Sequence, residues 1–247
     1  MYGIFELLFG RVDGGLSLAI VVLRILGVLL MCASLFLLGR RNELGWWLAG
    51  AAFLLSGFSG VTGIFGNGAP TPASLLLSVA GFVIPLVLSV GVAMYGLLLF
   101  RKHPLESGLT RAITLKQPRA LDFLSPLLLA VVYGAATMLS MIAIFINILG
   151  ADALSRFPLG QMMLTGIVAG LLPAALLGLA NRSRWAWFLV VAVSALSMAG
   201  IVVHAAGSVL IFLYLCQGAL ALYGWGRWGA IPRQTVSSSP TPAKPTF

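Results

Sequence analysis

Histidine, cysteine and acidic side chains, which supply most metal ligands and acid–base catalysts, are few in this chain and form no recognisable motif. His103 lies in a basic loop and His204 at the end of an apolar stretch. Cys32 and Cys216 both fall inside apolar stretches, which favours packing roles over a disulfide or metal pair. Zinc-protease, nucleophile-elbow, Walker A and dinucleotide motifs are absent from the sequence. The sequence therefore predicts no catalytic residue, no metal site and no cofactor, and it does not indicate an enzyme.

Polar side chains inside the apolar stretches are the residues that could bind a small molecule. We predict that Gln217, Asn147 and Ser194 line a substrate cavity. The alternative is that serine and asparagine groups bond within or between helices. Gln217 is the hardest of them to explain by packing alone, because its amide needs several partners.

Aromatic residues are the second group that could contact a flat substrate ring. All six tryptophans lie at the predicted ends of apolar stretches, as in an interfacial belt. At 3.6 residues per turn, Trp185 and Phe188 share one helix face and Trp187 lies nearly opposite. One of these two tryptophans can therefore face the protein interior while the other anchors in lipid.

The elements that must position these residues are seven apolar stretches, each close to the roughly 20 residues that cross a membrane as a helix. Of all residues 60% are hydrophobic and 9% charged, and the mean hydropathy is +1.05. Such a chain cannot hide its apolar surface in a soluble core, so we predict an all-α integral membrane protein. The stretches run at 15–38, 45–66, 74–100, 124–149, 159–180, 185–203 and 206–226.

The net charge of +9 is distributed according to membrane topology. Most of the 15 basic residues belong to the loops after the first, third and fifth stretches or to the C-terminal tail. The positive-inside rule then places the N-terminus outside and the C-terminus in the cytoplasm of a plasma (inner) membrane. These charges lie in short loops rather than beside base-reading elements, which excludes nucleic-acid binding. The basic residues on that side are Arg40, Arg41, Arg101, Lys102, Arg111, Lys116, Arg119, Arg182, Arg184, Arg227, Arg233 and Lys244.

The first and last thirds of the chain resemble one another. Tryptophans follow Asn42 and Asn181 by four residues, and Tyr95-Gly96 closes the third stretch as Tyr223-Gly224 closes the seventh. Three stretches, one linker and three stretches give both triplets the same direction, as in transporters built from parallel repeats. The predicted organisation is an external segment 1–14, a first repeat 15–100, a basic cytoplasmic loop 101–123, a linker helix 124–149, a second repeat 159–228 and a disordered cytoplasmic tail 229–247.

The stretch 181–228 resembles the hallmark region of PnuC-type vitamin transporters, with a tryptophan-marked helix start and the run Tyr223-Gly224-Trp225-Gly226-Arg227-Trp228. The seven-helix 3+1+3 layout and the basic central loop also fit that family, whose architecture is similar to that of SWEET carriers. The resemblance implies a homotrimer that moves nicotinamide riboside or a related vitamin-like nucleoside across the lipid bilayer.

The resemblance also implies which side chains contact the substrate. It makes Trp185 the inward tryptophan and places Trp185, Phe188, Gln217, Tyr223, Ser194 and Asn147 at the site. Where the family has asparagine, tryptophan and a polar residue, this chain has Arg184, Phe188 and Ala192, so a related vitamin stays open as the substrate.

The absence of an ATP-binding motif and of a carboxylate relay within the spans favours passive transport, with trapping by a separate kinase. The alternative is a non-transporting seven-helix membrane protein, either a sensor or a subunit of a membrane complex. A polar cavity ringed by Trp185, Gln217 and Tyr223 would favour the transporter, and a dry Leu/Gly-filled interface would favour the alternative.

Overall fold

Seven α-helices make up the computed structural model, which describes residues 15–65, 72–102, 120–149, 159–203 and 208–229. The predicted N-terminal segment, most of the basic loop and nearly all of the tail lie outside these residues. In chain order the helices are α1 Gly15–Gly39, α2 Leu44–Phe65, α3 Pro72–Lys102, α4 Ala120–Leu149, α5 Leu159–Ala180, α6 Ala186–Val203 and α7 Ser208–Gly229.

The helices coincide with the seven predicted stretches, the clearest difference being that α4 begins at Ala120 rather than at 124. Within the described residues, four helices are long and apolar enough to cross a membrane, and shorter apolar segments occur in α2, α4 and α6. The protein is therefore an all-helical, multi-pass membrane protein. The four spans are Val22–Gly39, Val83–Lys102, Met163–Ala180 and Val209–Trp228.

Each helix packs against the next one along the chain, and two further pairings join the halves of the molecule. In these, α1 packs against α7 and α3 packs against α5. If the first three helices are matched in order with the last three, α1 corresponds to α5 and α3 corresponds to α7. Each of the two pairings then joins the first helix of one triplet to the third helix of the other. The linker helix α4 packs between α3 and α5.

Glycines let α4 and α5 approach each other closely. A Cβ atom added to Gly134 would lie 2.8 Å from the carbonyl oxygen of Gly166, and one added to Gly166 would lie 2.9 Å from the carbonyl oxygen of Gly134. A Cβ atom at Gly170 would collide with the carbonyl oxygen of Ala130. Small residues are common where membrane helices cross, because backbone proximity increases the van der Waals contact.

The buried apolar core lies at the end of the bundle that carries the α1–α2 and α5–α6 turns. We call this end of the bundle the basic end, after Arg41, Arg182 and Arg227, which lie there. Here the C-terminal halves of α1, α3, α5 and α7 meet the N-terminal halves of α2 and α6. The largest buried side chains of this core include Leu35, Trp46, Leu176, Leu179, Trp187 and Trp228.

Candidate functional site

The turns after α1 and α5 have the same backbone structure. Asn42 N–H donates to the Leu37 carbonyl and Arg41 N–H to the Leu38 carbonyl, at 2.9 and 3.0 Å. After α5, Ser183 N–H donates to Gly178 and Arg182 N–H to Leu179, both at 2.9 Å. This paired bonding is the Schellman motif, in which the residue after the helix takes a left-handed conformation. Arg41 and Arg182 accordingly both have φ of 60°.

A tryptophan packed on a glycine follows each of these turns. Trp46 of α2 lies against Gly96 of α3, where an added Cβ atom would collide with the indole ring. Trp187 of α6 lies against Gly224 of α7, where an added Cβ atom would come 2.5 Å from the ring. The missing side chain in each pair therefore provides the space that the indole fills, and both tryptophans are buried.

The two tyrosines that precede these glycines join the halves of the protein. Tyr95 of α3 donates its hydroxyl hydrogen to Asn181 Oδ1 just after α5, at 3.3 Å. Tyr223 of α7 stacks on Phe36 of α1, with ring centroids 5.9 Å apart. The α1–α7 contact is reinforced by the indole N–H of Trp228, which donates to a backbone carbonyl of α1 at 3.3 Å. The contacts at the basic end thus join each triplet to the other.

Four polar side chains are buried among the described residues, and they differ in how they are satisfied. Ser34 donates to the Gly45 carbonyl, and Ser194 donates to the Val190 carbonyl of its own helix, both at 2.8 Å. The Ser89 hydroxyl oxygen has no hydrogen-bond partner among the described residues, although Tyr133 of α4 lies near it. Gln217, only 1% exposed, has an amide nitrogen without a hydrogen-bond partner among the described residues. A buried amide donor without a partner costs free energy, so Gln217 is the polar group best placed to receive a ligand.

The buried face of α7 shows where Gln217 points. Leu213, Gln217, Ala221, Gly224 and Trp228 recur every three or four residues and are all buried. This face meets α1, where Cys32 Sγ lies 3.7 Å from the Leu213 carbonyl, and it meets α6, where the Trp187 ring touches Gly224. Gln217 therefore lies on the face of α7 turned toward the other helices, six residues or about 9 Å from Tyr223 along the axis.

The predicted site residues fall into separate groups. Ser194 of α6 packs against the residue that follows Gln217, because a Cβ atom added to Gly218 of α7 would lie 3.5 Å from Ser194 Cβ. Tyr223 is 37% exposed and takes part in the α1–α7 contact instead. The side chain of Asn147 lies outside the described residues.

Trp185 and Phe188 lie at the start of α6, away from that pair. Trp185 precedes the first helical residue and its half-buried ring approaches Gly178 of α5. Phe188 is 49% exposed and packs on Trp225 of α7, with ring centroids 5.2 Å apart. Trp187 is the fully buried residue of the three, at 0% exposed.

The interpretation of Trp187 as the lipid anchor of α6 is therefore wrong. Trp187 and Phe188 do lie on different sides of the helix, as the spacing predicts, but Trp187 is the one that faces inward. The belt interpretation also fails for Trp46 and Trp228, which are 4% and 6% exposed, whereas Trp47 is 50% exposed. Their glycine and aromatic partners, not the lipid interface, account for their positions.

Sequence reasoning also missed Ser89 and the two arginines with positive φ. Aligning Tyr95-Gly96 with Tyr223-Gly224 puts Ser89 at the same register as Gln217. This correspondence is visible in the sequence, because Ser89 precedes Tyr95 by six positions and Gln217 precedes Tyr223 by six positions. The inward placement of Arg41 and Arg182 had no such signal, since both resemble ordinary loop cations.

A cavity of roughly 30 Å³ opens between the two turns, which is enough space to hold water. Its lining comes from both triplets and includes Arg41 and Arg182 as its charged residues. Burial lowers the pKa of Arg41 below its ordinary value, and the like charge of Arg227 lowers that pKa further. The apolar lining residues are Leu38, Trp46, Gly96, Leu99, Phe100, Leu179, Ala180 and Trp228.

Comparison with solved structures finds a protein described as "Crystal structure of the Vitamin B3 transporter PnuC". The alignment covers 86% of this chain and 86% of that chain, with 16% sequence identity and a TM-score of 0.49. This chain is similar to a PnuC transporter. No family model and no curated protein matches the chain.

Proposed function

We propose that this chain is a membrane transporter that moves a small vitamin-like nucleoside by facilitated diffusion, with nicotinamide riboside as the expected substrate. The single observation that carries the proposal is the buried Gln217 amide, whose nitrogen has no partner among the described residues. A polar group kept in the middle of an apolar helix is costly, and in membrane proteins such groups commonly mark a substrate path.

The second support is the duplication of local structure in the two triplets. The Schellman turns at Arg41 and Arg182 and the two tryptophan–glycine contacts are equivalent in the order of their helices. A 3+1+3 arrangement of parallel repeats accounts for both, and it puts the substrate site between the repeats. Ser89 and Gln217 are the buried polar residues at matching positions in α3 and α7.

A nucleoside carries the hydrogen-bond donors and acceptors that could pair with the Gln217 amide. The Gln217 amide can donate to a carbonyl or ring nitrogen of the substrate and accept from a ribose hydroxyl. Ser194 lies across the α6–α7 contact from Gly218, the residue after Gln217. We retain Trp185, Phe188, Tyr223 and Asn147 as proposed contacts from the resemblance, with the basic end cytoplasmic and assembly as a homotrimer.

One observation favours the second candidate function, a non-transporting sensor or subunit of a membrane complex. The core at the basic end is closely packed by leucine, alanine and tryptophan side chains, including Leu35 and Leu176 at 0% exposed. A dry interface of this kind suits a static bundle. A carrier that is closed at this end would also have such an interface, so a transport measurement is what distinguishes the two functions.

Uptake by proteoliposomes tests the proposal directly. Vesicles containing the purified chain should take up labelled nicotinamide riboside without ATP or an ion gradient, until the internal and external concentrations are equal. Thiamine, riboflavin and deoxynucleosides complete the panel, and protein-free vesicles are the control. Accumulation above the external concentration would contradict facilitated diffusion, and no uptake of any compound would favour the non-transporting function.

Replacing Gln217 by leucine should separate binding from folding. Leucine fills a similar volume and removes the unpartnered amide, so thermal stability should rise, by up to about 1–3 kcal/mol. Loss of the substrate hydrogen bond should raise Kd at least about 2- to 12-fold, the equivalent of 0.5–1.5 kcal/mol. Thermal unfolding and calorimetric titration on the purified protein measure the two effects.

Leu215→Met is the matched control for this substitution. Leu215 is 53% exposed on the outer face of α7, and the exchange nearly conserves volume, so both stability and Kd should stay unchanged. A Gln217→Leu protein that loses stability and binds substrate normally would show that Gln217 has a structural role.

A further inference from the structure

Six of the described helices pack into a closed ring. From helix to helix, α1 packs on α2, α2 on α3, α3 on α5, α5 on α6 and α6 on α7, and α7 returns to α1. The linker α4 packs against α3 and α5 and keeps an exposed face, with Leu128 at 64%, so it lies outside the ring. The third helix along from α3 is α7 in either direction, and these two helices therefore lie on opposite sides of the ring centre.

Buried and exposed positions show which side of α3 and α7 faces the ring centre. On α7, Gln217 is 1% exposed and Leu215 is 53% exposed; on α3, Ser89 is 0% exposed and Val87 is 63% exposed. Residues two apart on a helix point about 200° from each other, so both polar side chains point away from the exposed surface and into the ring. Each polar residue also precedes the Tyr-Gly pair of its helix by six positions, which places the two at equivalent heights above the basic end.

The two sides of the ring offer different hydrogen-bonding groups. Ser89 Oγ and Gln217 Nε2 both lack a hydrogen-bond partner among the described residues. Tyr133 of α4 lies near Ser89, so the α3 side carries two hydroxyl groups. A hydroxyl group both donates and accepts, as sugar hydroxyls do, whereas the amide of Gln217 matches the donor and acceptor edge of a carboxamide or a nucleobase. The two sides therefore suit the two ends of a nucleoside.

We propose that Ser89 and Tyr133 bind the sugar end of the substrate and that Gln217, on the opposite side of the ring, binds its base. Ser89 then selects for a sugar that carries hydroxyl groups, because a buried hydroxyl left without a partner costs free energy when a deoxy compound is bound. The assignment of the two ends rests on the proposed transport function, whereas the placement of Ser89 and Gln217 at the ring centre rests on the packing of the helices.

Calorimetric titration tests the sugar end with two compounds, nicotinamide riboside and an analogue whose sugar hydroxyls are replaced by hydrogen. The wild-type protein should bind the riboside more tightly. Ser89→Ala and Tyr133→Phe should each raise Kd for the riboside about 2- to 12-fold and leave Kd for the analogue nearly unchanged, since only the riboside loses a hydrogen bond. Gln217→Leu should raise Kd for both compounds by the same factor. Val87→Ala, on the exposed side of α3, is the matched control and should change neither Kd.

Thiol labelling in vesicles tests the ring geometry without a substrate. In a protein whose two native cysteines are replaced by alanine, single cysteines are introduced at two central and two exposed positions: Ser89→Cys, Gln217→Cys, Val87→Cys and Leu215→Cys. A charged thiosulfonate reagent labels thiols that water reaches, because the thiolate is the reacting form and lipid does not support it. The two central cysteines should therefore be labelled and the two lipid-facing cysteines should not.

The two measurements separate failure of the site from failure of the proposed function. The proposal is overturned if the cysteine of Ser89→Cys stays unlabelled, if the lipid-facing cysteines are labelled as fast as the central ones, or if either Ser89→Ala or Tyr133→Phe fails to weaken the riboside selectively. Labelling of both central cysteines, without binding or uptake of any compound in the panel, would refute the proposed function and the assignment of the two ends. That result would support the central placement of Ser89 and Gln217 alone.

Discussion

Replacing Trp187 by alanine should lower the free energy of unfolding by about 3–5 kcal/mol, the range for removing a large aromatic side chain from a packed core. The Trp187 ring is 0% exposed, fills the space beside Gly224 and packs edge-on against Trp228, with ring centroids 5.6 Å apart. Alanine would leave a cavity that the backbone contacts around it cannot close. Thermal or denaturant unfolding of the purified protein in one detergent measures the loss.

Two variants control for the size and the chemistry of this change. Trp47→Ala removes the same ring from a position that is 50% exposed, and should cost under about 1 kcal/mol. Trp187→Phe keeps an aromatic ring in the core, and the lost indole N–H has no hydrogen-bond partner among the described residues, so most of the stability should remain. Equal losses from Trp187→Ala and Trp47→Ala would show that Trp187 is not a core residue.

Substituting Gly224 by alanine should destabilise the protein by about 1–3 kcal/mol, as overpacking of a filled core does. The new Cβ atom would lie 2.5–2.6 Å from three ring atoms of Trp187, and the rigid indole cannot bend aside as a flexible side chain would. In the absence of a steric contact, alanine would stabilise the helix relative to glycine by about 1 kcal/mol. Any loss of stability is therefore caused by the contact with the indole ring. Tm in detergent, compared with the wild-type protein, is the measurement.

Gly226→Ala is the matched control two residues along α7. A Cβ atom added to Gly226 meets nothing within 4 Å among the described residues, so this variant should be unchanged or slightly more stable. The same contrast should hold in α3, where Gly96→Ala collides with the Trp46 ring and Gly91→Ala meets no described atom within 4 Å. A stabilised Gly224→Ala protein would contradict the described packing of Trp187.

The apolar stretches determined the helices without help from tertiary structure. Runs of about 20 apolar residues must bond their backbone internally in a membrane, and only helices do so locally. The predicted stretches and the seven described helices therefore agree closely. The repeated Tyr-Gly pairs are also visible in the sequence. Aligning them places Ser89 at the position in α3 that Gln217 occupies in α7.

The inward side of each helix was decided by tertiary structure. Helical spacing puts Trp187 and Phe188 on different faces, and so sets the angle between them, but it does not say which face meets another helix. In a soluble protein a polar face would reveal the outside, whereas the residues of α6 are almost all apolar. Lipid and core then look alike in sequence, and the packing of Gly224 against Trp187 is what turns this ring inward.

The meeting of Arg41 and Arg182 likewise depends on tertiary structure. In the sequence each is one loop cation among many, and the positive-inside rule explains both without any site. Their shared cavity exists because α1 packs on α7 and α3 packs on α5, which brings together turns from opposite halves of the chain. Contacts between distant segments depend on how the helices assemble, and the periodicity of a single helix carries no information about that assembly.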